Sequence, residues 1–186
     1  TDGSVAGQST GLSDSSRGLQ SGQAAAGAPS GAAVADLPFK ASDAIGVLMA
    51  YSAKVRIDQI GSNDTTDTLT NGVSSRRNQL LMDISSELGV ASVDGAAEAT
   101  LDKLAQIVNK AAPNYKPFGA VLSEALRDRL RSLFGAAGVK QQYIRDRVTN
   151  VWQLGEGWVA SVLATLLLDT REGASSRGGD LSKLPT

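Results

Sequence analysis

The sequence predicts an all-α protein, built from two helical blocks that lie between flexible linkers. Apolar residues recur at spacings of three and four in several stretches, as they do when one face of a helix is buried. No region shows the sustained alternation of apolar and polar residues that is typical of a half-buried strand. Gly, Pro and Ser cluster between the helical stretches and outside them, where turns and linkers are expected.

Both ends of the chain have the composition of linkers. Residues 1–36 are rich in Gly, Ser, Ala and Gln, and the large apolar residues Leu12 and Leu19 show no period. A flexible coil of this length spans roughly 30–36 Å on average. Residues 170–186 have the same character, and position 1 is Thr rather than Met. We therefore expect a piece excised from a longer chain. A free-standing protein with two disordered ends is the alternative.

The first block, residues 37–112, begins with one helix and a long connector. Ser42 is predicted to cap the first helix, which should end near Arg56. The residues predicted on its inward face are Ile45, Leu48, Met49, Ser52 and Val55. Residues 57–73 are predicted to form a packed, irregular connector, because their Gly, Asn and Asp residues oppose regular structure. Ile57, Ile60 and Leu69 could attach this connector to a core.

Two more helices complete the first block. One should begin at Ser74 and end at Gly89, since Gly is common after the last turn of a helix. Its predicted buried face is formed by Leu80, Leu81, Ile84 and Leu88. Thr100 is predicted to cap a short third helix. Glu87 and Asp83, one turn apart, are expected on the helix surface, where such pairs are ordinary and do not indicate acid–base chemistry.

The second block, residues 113–169, contains three further helical stripes. The first runs from Phe118 to Phe134 and stops at Gly135 and Gly138. The second contains Tyr143, Ile144, Val148, Val151 and Trp152, and the third contains Trp158, Val159, Val162, Leu163, Leu166 and Leu167. Both Trp residues are expected in the core. The basic residues Arg127, Arg129, Arg131, Lys140, Arg145 and Arg147 are expected on a solvated or interdomain face, because Asp128 and Asp146 are interspersed among them.

Composition excludes several classes of function. The net charge is −1, so no overall field indicates a nucleic acid or an anionic membrane as a partner. The chain has no Cys and no His, which excludes a Ser-His-Asp triad, a Cys nucleophile, an imidazole base and the usual zinc sites. No apolar run approaches the roughly 20 residues of a membrane span, and no signal pattern is present. Ser182-Lys183-Leu184 is not C-terminal and is no peroxisomal signal. We expect a soluble, cytoplasmic protein.

Ser74 stands where the connector becomes a helix, and this position has two interpretations. Ser is a preferred N-cap residue, because its oxygen accepts a hydrogen bond from a helix-start N–H group. A helix start also favours an anion, so a phosphate esterified to the Ser74 hydroxyl would be stabilised there.

Ser74 lies in the run Leu69-Thr70-Asn71-Gly72-Val73-Ser74-Ser75-Arg76-Arg77-Asn78-Gln79-Leu80-Leu81. This run resembles the carrier domain of type I fatty acid synthases, of the actinobacterial single-chain kind and more distantly the fungal kind. Fungal carriers have a Gly-x-Ser at this place with Asn four residues after the Ser, a spacing matched by Gly72, Ser74 and Asn78. Arg147 to Leu154, with Trp152, is similar to the extra helical subdomain of those carriers.

The resemblance implies an acyl-carrier-protein-like bundle with an additional C-terminal helical subdomain and no catalysis of its own. It implies a 4′-phosphopantetheine arm, derived from coenzyme A, on Ser74 and flanked by Gly72, Val73, Arg76 and Arg77. Fatty intermediates would be bound to that arm as thioesters. The arm supplies the reactive thiol, so the chain needs no Cys of its own. The implied partners are a phosphopantetheinyl transferase and the ketosynthase, ketoreductase, dehydratase, enoyl reductase and acyltransferase domains of the same synthase. No nucleic acid, membrane or metal is implied.

The sequence departs from free-standing carriers, which have Asp-Ser-Leu at the attachment point. Val73-Ser74-Ser75 stands here instead, which makes Ser75 an alternative attachment residue. Arg76 and Arg77 replace the usual acidic start of the helix, and we expect them on a solvated face. Two other hypotheses stay open: a helical structural or interaction module within a large synthase, and a small enzyme with carboxylate or Lys chemistry.

Overall fold

A computed structural model describes residues 33–171, so most of both predicted linkers lies outside the described residues. The all-α prediction is confirmed: within this range every regular element is helical, apart from an isolated bridge between Thr65 and Thr100. The α-helices are α1 (Ala41–Ala53), α2 (Thr66–Leu69), α3 (Ser74–Leu88), α4 (Leu101–Ala111), α5 (Ala120–Phe134), α6 (Gln141–Asp146) and α7 (Glu156–Asp169). Short 3₁₀ turns lie at Ile57–Gln59 and Gly135–Ala137, and a π-helix at Arg147–Val151 follows α6.

Helix α1 lies at the centre of the core. Most of its residues are buried, and it contacts α3, α4 and α7. The predicted cap at Ser42 is wrong, because Lys40 occupies the N-cap position and its backbone N–H donates to Asp43 Oδ2 at 2.7 Å. Ser42 lies inside the first turn and bonds to α4 instead: its N–H donates to Asn109 Oδ1 at 2.9 Å, and Asn109 Nδ2 donates to its hydroxyl at 3.0 Å.

The connector after α1 is less irregular than predicted. It contains a 3₁₀ turn and the four residues of α2, which Thr65 caps by accepting a hydrogen bond from the N–H of Thr68 at 3.2 Å. Thr66 is fully buried, and its hydroxyl donates to the carbonyl of Ala97 at 3.2 Å. Ile57 was a candidate anchor, but 51% of it is exposed, whereas Ile60 and Leu69 do pack against the core.

Helices α3 and α4 follow the predicted pattern. Helix α3 begins at Ser74 and ends before Gly89, whose φ of 68° is the left-handed conformation expected after a helix. Leu80 and Ile84 are buried, and Leu81 and Leu88 pack against the core from half-buried positions. Thr100 is the N-cap residue of α4 as predicted, although its side chain makes no capping hydrogen bond.

Glu87 is the main exception on α3. It was expected on the surface, but only 2% of it is exposed. Its carboxylate accepts hydrogen bonds from the hydroxyl of Tyr115 (2.6 Å) and from the backbone N–H groups of Gly119 (2.6 Å) and Leu122 (2.8 Å). Gly119 is the N-cap residue of α5, so Glu87 satisfies the unpaired donors at the start of that helix. Burial and the contact with Glu87 raise the pKa of Tyr115 far above its ordinary value.

Helix α7 is bound at both ends by polar residues from the predicted linkers. Asp36 Oδ1 accepts hydrogen bonds from the N–H groups of Gly157 (2.9 Å) and Trp158 (3.3 Å) at the start of α7. At its other end Arg171 is 8% exposed and donates to the carbonyls of Leu168 (3.0 Å), Ala50 (2.5 Å) and Val55 (2.6 Å). Asp36 and Arg171 therefore belong structurally to the folded part of the chain.

The two Trp residues differ. Trp158 is half-buried, packs against the core and donates from Nε1 to the carbonyl of Ala35 at 2.9 Å. Trp152 follows the π-helix and is 68% exposed, so its predicted place in the core is wrong. The prediction misses the π-helix, which changes the face on which Trp152 lies.

Candidate functional site

Ser74 is the first residue of α3, and its side chain is exposed. The N-cap position belongs to Val73, so the interpretation of Ser74 as the N-cap is wrong. Because Val73 has no polar side-chain atom, no side chain caps the start of α3. Within residues 33–171 the Ser74 hydroxyl has no hydrogen-bond partner, which leaves it available for reaction.

The loop before Ser74 is a tight turn held by buried Thr residues. Asn71 (φ 54°) and Gly72 (φ 70°) both adopt the left-handed conformation. The N–H of Gly72 donates to the carbonyl of Asp67 at 2.9 Å, and the N–H of Val73 donates to the carbonyl of Thr70 at 3.1 Å. Thr70 is 7% exposed, and its hydroxyl donates to the carbonyl of Thr66 at 2.7 Å. Ser74 is therefore presented on a turn that is attached firmly to α2.

The space beside this turn is open. A Cβ atom built on Gly72 would have no heavy atom within 4 Å. Ser75, the second residue of α3, is exposed as well, so both Ser residues named from the sequence lie at the open end of the helix. The first turn of α3 contains no acidic residue, and its free N–H groups favour an anion. A phosphodiester on either hydroxyl fits this environment in space and in charge.

Arg76 and Arg77 lie on different sides of α3. Arg77 Nη1 is 3.1 Å from Asp67 Oδ1, a partly exposed ion pair that joins α3 to α2 and contributes about 0–1 kcal/mol. Arg76 is exposed and lines a cleft of about 440 Å³ with Lys54, the left-handed residue at the end of α1. Arg76 therefore lies on a solvated face, as predicted. Arg77 does not, because it is half-buried against the connector.

The basic residues of the second block are mostly exposed beside acidic neighbours. Arg127 lies 3.7 Å from Glu124, Arg131 lies 3.6 Å from Asp128, and Arg145 lies 2.8 Å from Glu156. The described residues contain no group of three acidic side chains placed to hold a metal ion. None of the described helices combines the length and the apolarity needed to cross a membrane.

Matches to one family model and to two known proteins agree on one family. The family model described as the acyl carrier domain of fatty acid synthase subunit alpha matches residues 35–177. The fatty acid synthase subunit alpha of Schizosaccharomyces pombe is 31% identical over 149 residues, which cover 80% of this chain and 8% of that protein. The subunit of the same name from Lachancea kluyveri is 30% identical over 152 residues, or 79% of this chain and 8% of that protein. The chain thus spans only about 8% of the length of these relatives.

Proposed function

Because the chain belongs to the family of acyl carrier domains of fatty acid synthase alpha subunits, we propose that Ser74 carries a 4′-phosphopantetheine arm. On that arm the domain would tether growing fatty acyl chains as thioesters and carry them between catalytic domains. The observation that supports Ser74 is its exposed, unbonded hydroxyl at the first residue of α3, beside an open turn. The arm supplies the thiol that this Cys-free chain lacks.

Loading the arm requires a nucleophile from this chain and a base from elsewhere. The Ser74 oxygen would attack the phosphorus next to the pantetheine portion of coenzyme A, forming a P–O ester bond. The bond to 3′,5′-ADP would break, and the hydroxyl proton would pass to a base. The nearest charged neighbours along α3 are Arg76 and Arg77, which cannot accept a proton. Asp67, the acidic residue beside this turn, is already paired with Arg77 at 3.1 Å. The base would therefore come from a phosphopantetheinyl transferase, and the carrier would present the hydroxyl.

We extend the proposal to the organisation of the chain. Residues 37–112 would be the carrier core, residues 113–169 an additional helical subdomain, and residues 1–36 and 170–186 mainly linkers. The partners would be the ketosynthase, ketoreductase, dehydratase, enoyl reductase and acyltransferase domains of the same cytoplasmic synthase. Tethering at both ends would raise the effective concentration of the cargo at each of these domains, if the linkers reach far enough.

Intact mass measurement after incubation with coenzyme A and a phosphopantetheinyl transferase tests the attachment site. The parent chain and the Ser75→Ala variant should each gain the mass of one arm. The Ser74→Ala variant should not. If Ser74→Ala is modified at the normal rate and Ser75→Ala is not, the arm belongs to Ser75. If no variant gains mass, the alternative of a non-catalytic structural or interaction module is favoured.

Shortening residues 1–36 within the parent synthase tests the shuttling role. The shortened chain should be loaded with the arm at the normal rate, while the turnover of the whole synthase falls because the carrier no longer reaches distant active sites. Unchanged turnover would count against shuttling by this linker.

A further inference from the structure

Helix α6 and the π-helix after it have an apolar inner side, and their outer side exposes large aromatic and apolar residues to solvent. Ile144 packs against the core and Val148 is 6% exposed, so these two residues hold the segment in place. The outer side carries Tyr143, Arg147 and Val151, spaced four residues apart, and ends at Trp152. Tyr143 is 53% exposed, Val151 55% and Trp152 68%, and Arg147 is exposed as well. We call these four residues the Trp152 surface.

The backbone holds this surface in an uncommon conformation. The N–H of Trp152 donates to the carbonyl of Arg147, five residues earlier, at 3.1 Å. Gln153, the next residue, has a φ of 55°, which is the left-handed conformation in a residue other than Gly. Single π turns and left-handed residues other than Gly are both enriched at functional sites, and they persist only where the surrounding structure compensates their cost in free energy. Here they direct the largest apolar side chain of the segment into solvent.

The chemistry of the surface is that of a protein interface. Tyr, Trp and Arg are the residue types that contribute most binding energy where two proteins meet. Arg145, on the same segment, pairs with Glu156 at 2.8 Å, whereas Arg147 forms no ion pair within residues 33–171. An Arg beside an exposed Trp is suited to a partner that offers an apolar pocket with a carboxylate at its rim.

We propose that the Trp152 surface docks on a carboxylate-bearing surface of another domain of the same synthase chain. This inference rests on the proposed function, in which the chain is one domain of a much longer protein. The two matched relatives extend far beyond the carrier, which covers 8% of their length, so in such a chain other domains are held near it at high effective concentration. A contact of only four side chains is small enough to be transient. A carrier that visits several sites must dissociate from each of them, so its contacts have to be transient.

Site-specific photocrosslinking in the intact parent synthase tests the proposal. A benzoylphenylalanine residue replaces Trp152, and in a matched control it replaces Val34, which is 58% exposed but lies outside this surface. The position 152 probe should give crosslinks that map to one place on another domain, near Asp or Glu, and the control should not. Adding Arg147→Glu should reduce their yield roughly tenfold, and Arg147→Lys should preserve most of it.

Several outcomes would overturn the inference. Crosslinks from position 152 to the same surface of a second carrier would make it a self-association site. Crosslinks to lipid, crosslinks no more specific than those of the control, or a yield insensitive to Arg147→Glu would also contradict it. Thermal unfolding of each variant checks that the fold is intact. Intact mass reports arm loading at Ser74 separately, so an unloaded chain with specific crosslinks would refute the proposed function and leave the docking surface standing.

Discussion

Replacing Glu87 by Gln tests whether the buried carboxylate holds the second helical block on the first. The carboxylate accepts hydrogen bonds from Tyr115 (2.6 Å), Gly119 (2.6 Å) and Leu122 (2.8 Å), and the last two donors are at the start of α5. Gln is close in shape to Glu, so no cavity forms. One oxygen, however, becomes an amide nitrogen, and that nitrogen is a donor.

The size of the effect follows from these contacts. The Gln carbonyl can replace Oε1, which serves Tyr115 and Gly119, but the amide nitrogen then faces the N–H of Leu122. One charge-assisted hydrogen bond is lost, at about 1.5–3 kcal/mol, and the two that remain become weaker neutral ones. The negative charge that favours the N-terminus of α5 is lost too, at about 0.3–1 kcal/mol. We expect the free energy of unfolding to fall by about 3 kcal/mol, a large share of the roughly 5–15 kcal/mol of a typical domain.

Urea unfolding followed by far-UV circular dichroism measures this change. With a slope of about 1–3 kcal/mol per M, a loss of about 3 kcal/mol should lower the midpoint by roughly 1–3 M. The matched control is Glu124→Gln on α5, because the Glu124 side chain is 69% exposed and lies 3.7 Å from Arg127. That variant should stay within about 0.5 kcal/mol of the parent. If Glu87→Gln changes stability no more than Glu124→Gln does, then Glu87 does not anchor α5.

Two further predictions concern the side chains of Arg171 and Tyr115. Arg171→Ala should lower the free energy of unfolding by about 2–4 kcal/mol, because two buried carbonyls and one half-buried carbonyl lose their donor. Arg171→Lys should recover only part of this loss, since one ammonium cannot reach all three carbonyls. Equal stability of the Ala variant and the parent in urea would contradict this role. Above pH 10, the ordinary pKa of Tyr, the unfolded chain loses the Tyr115 proton while the folded domain keeps it, because burial and Glu87 raise the pKa of Tyr115. Stability should therefore fall as the pH rises past 10, by at most about 1 kcal/mol per pH unit given partial solvent access. Tyr115→Phe should show a smaller slope in unfolding measured from pH 9 to 11, and an identical slope would refute the assignment.

The parts of the fold that could be predicted depend on local pattern. Apolar spacing places the helices, and Gly89 places the end of α3, because both signals act within a few residues of the chain. N-cap positions predicted at Ser residues are less reliable, although α3 does begin at Ser74. Ser42 has the residue type of a cap, but Asn109 on α4 binds it, and this partner is 67 positions away in the sequence. Cap preferences are therefore overridden where a tertiary contact offers the same hydrogen bonds.

Two errors concern residues whose environment only the folded chain defines. Glu87 follows Leu80 and Ile84 at spacings of seven and three, so it lies on the apolar face, and that spacing could have revealed its burial. Trp152 follows Ile144 and Val148 at spacings of four, which predicts a buried position if the helix is regular. The π-helix at Arg147–Val151 changes the number of residues per turn, and Trp152 lies in solvent instead.

The position of Glu87 on α3 links Ser74, the proposed attachment site, to the rest of the domain. Helix α3 has 15 residues and is therefore about 22 Å long, with Ser74 at its first residue and Glu87 in its last turn. Glu87 fixes the start of α5, and α5 packs against α7. Arg145, in the last turn of α6, pairs with Glu156 at the start of α7. This chain of contacts runs from Ser74 to the segment that carries Trp152. If the two blocks were joined by a hinge, a partner that bound the Trp152 surface would leave Ser74 free to point anywhere. Because polar contacts join the blocks, binding at that surface would also orient Ser74.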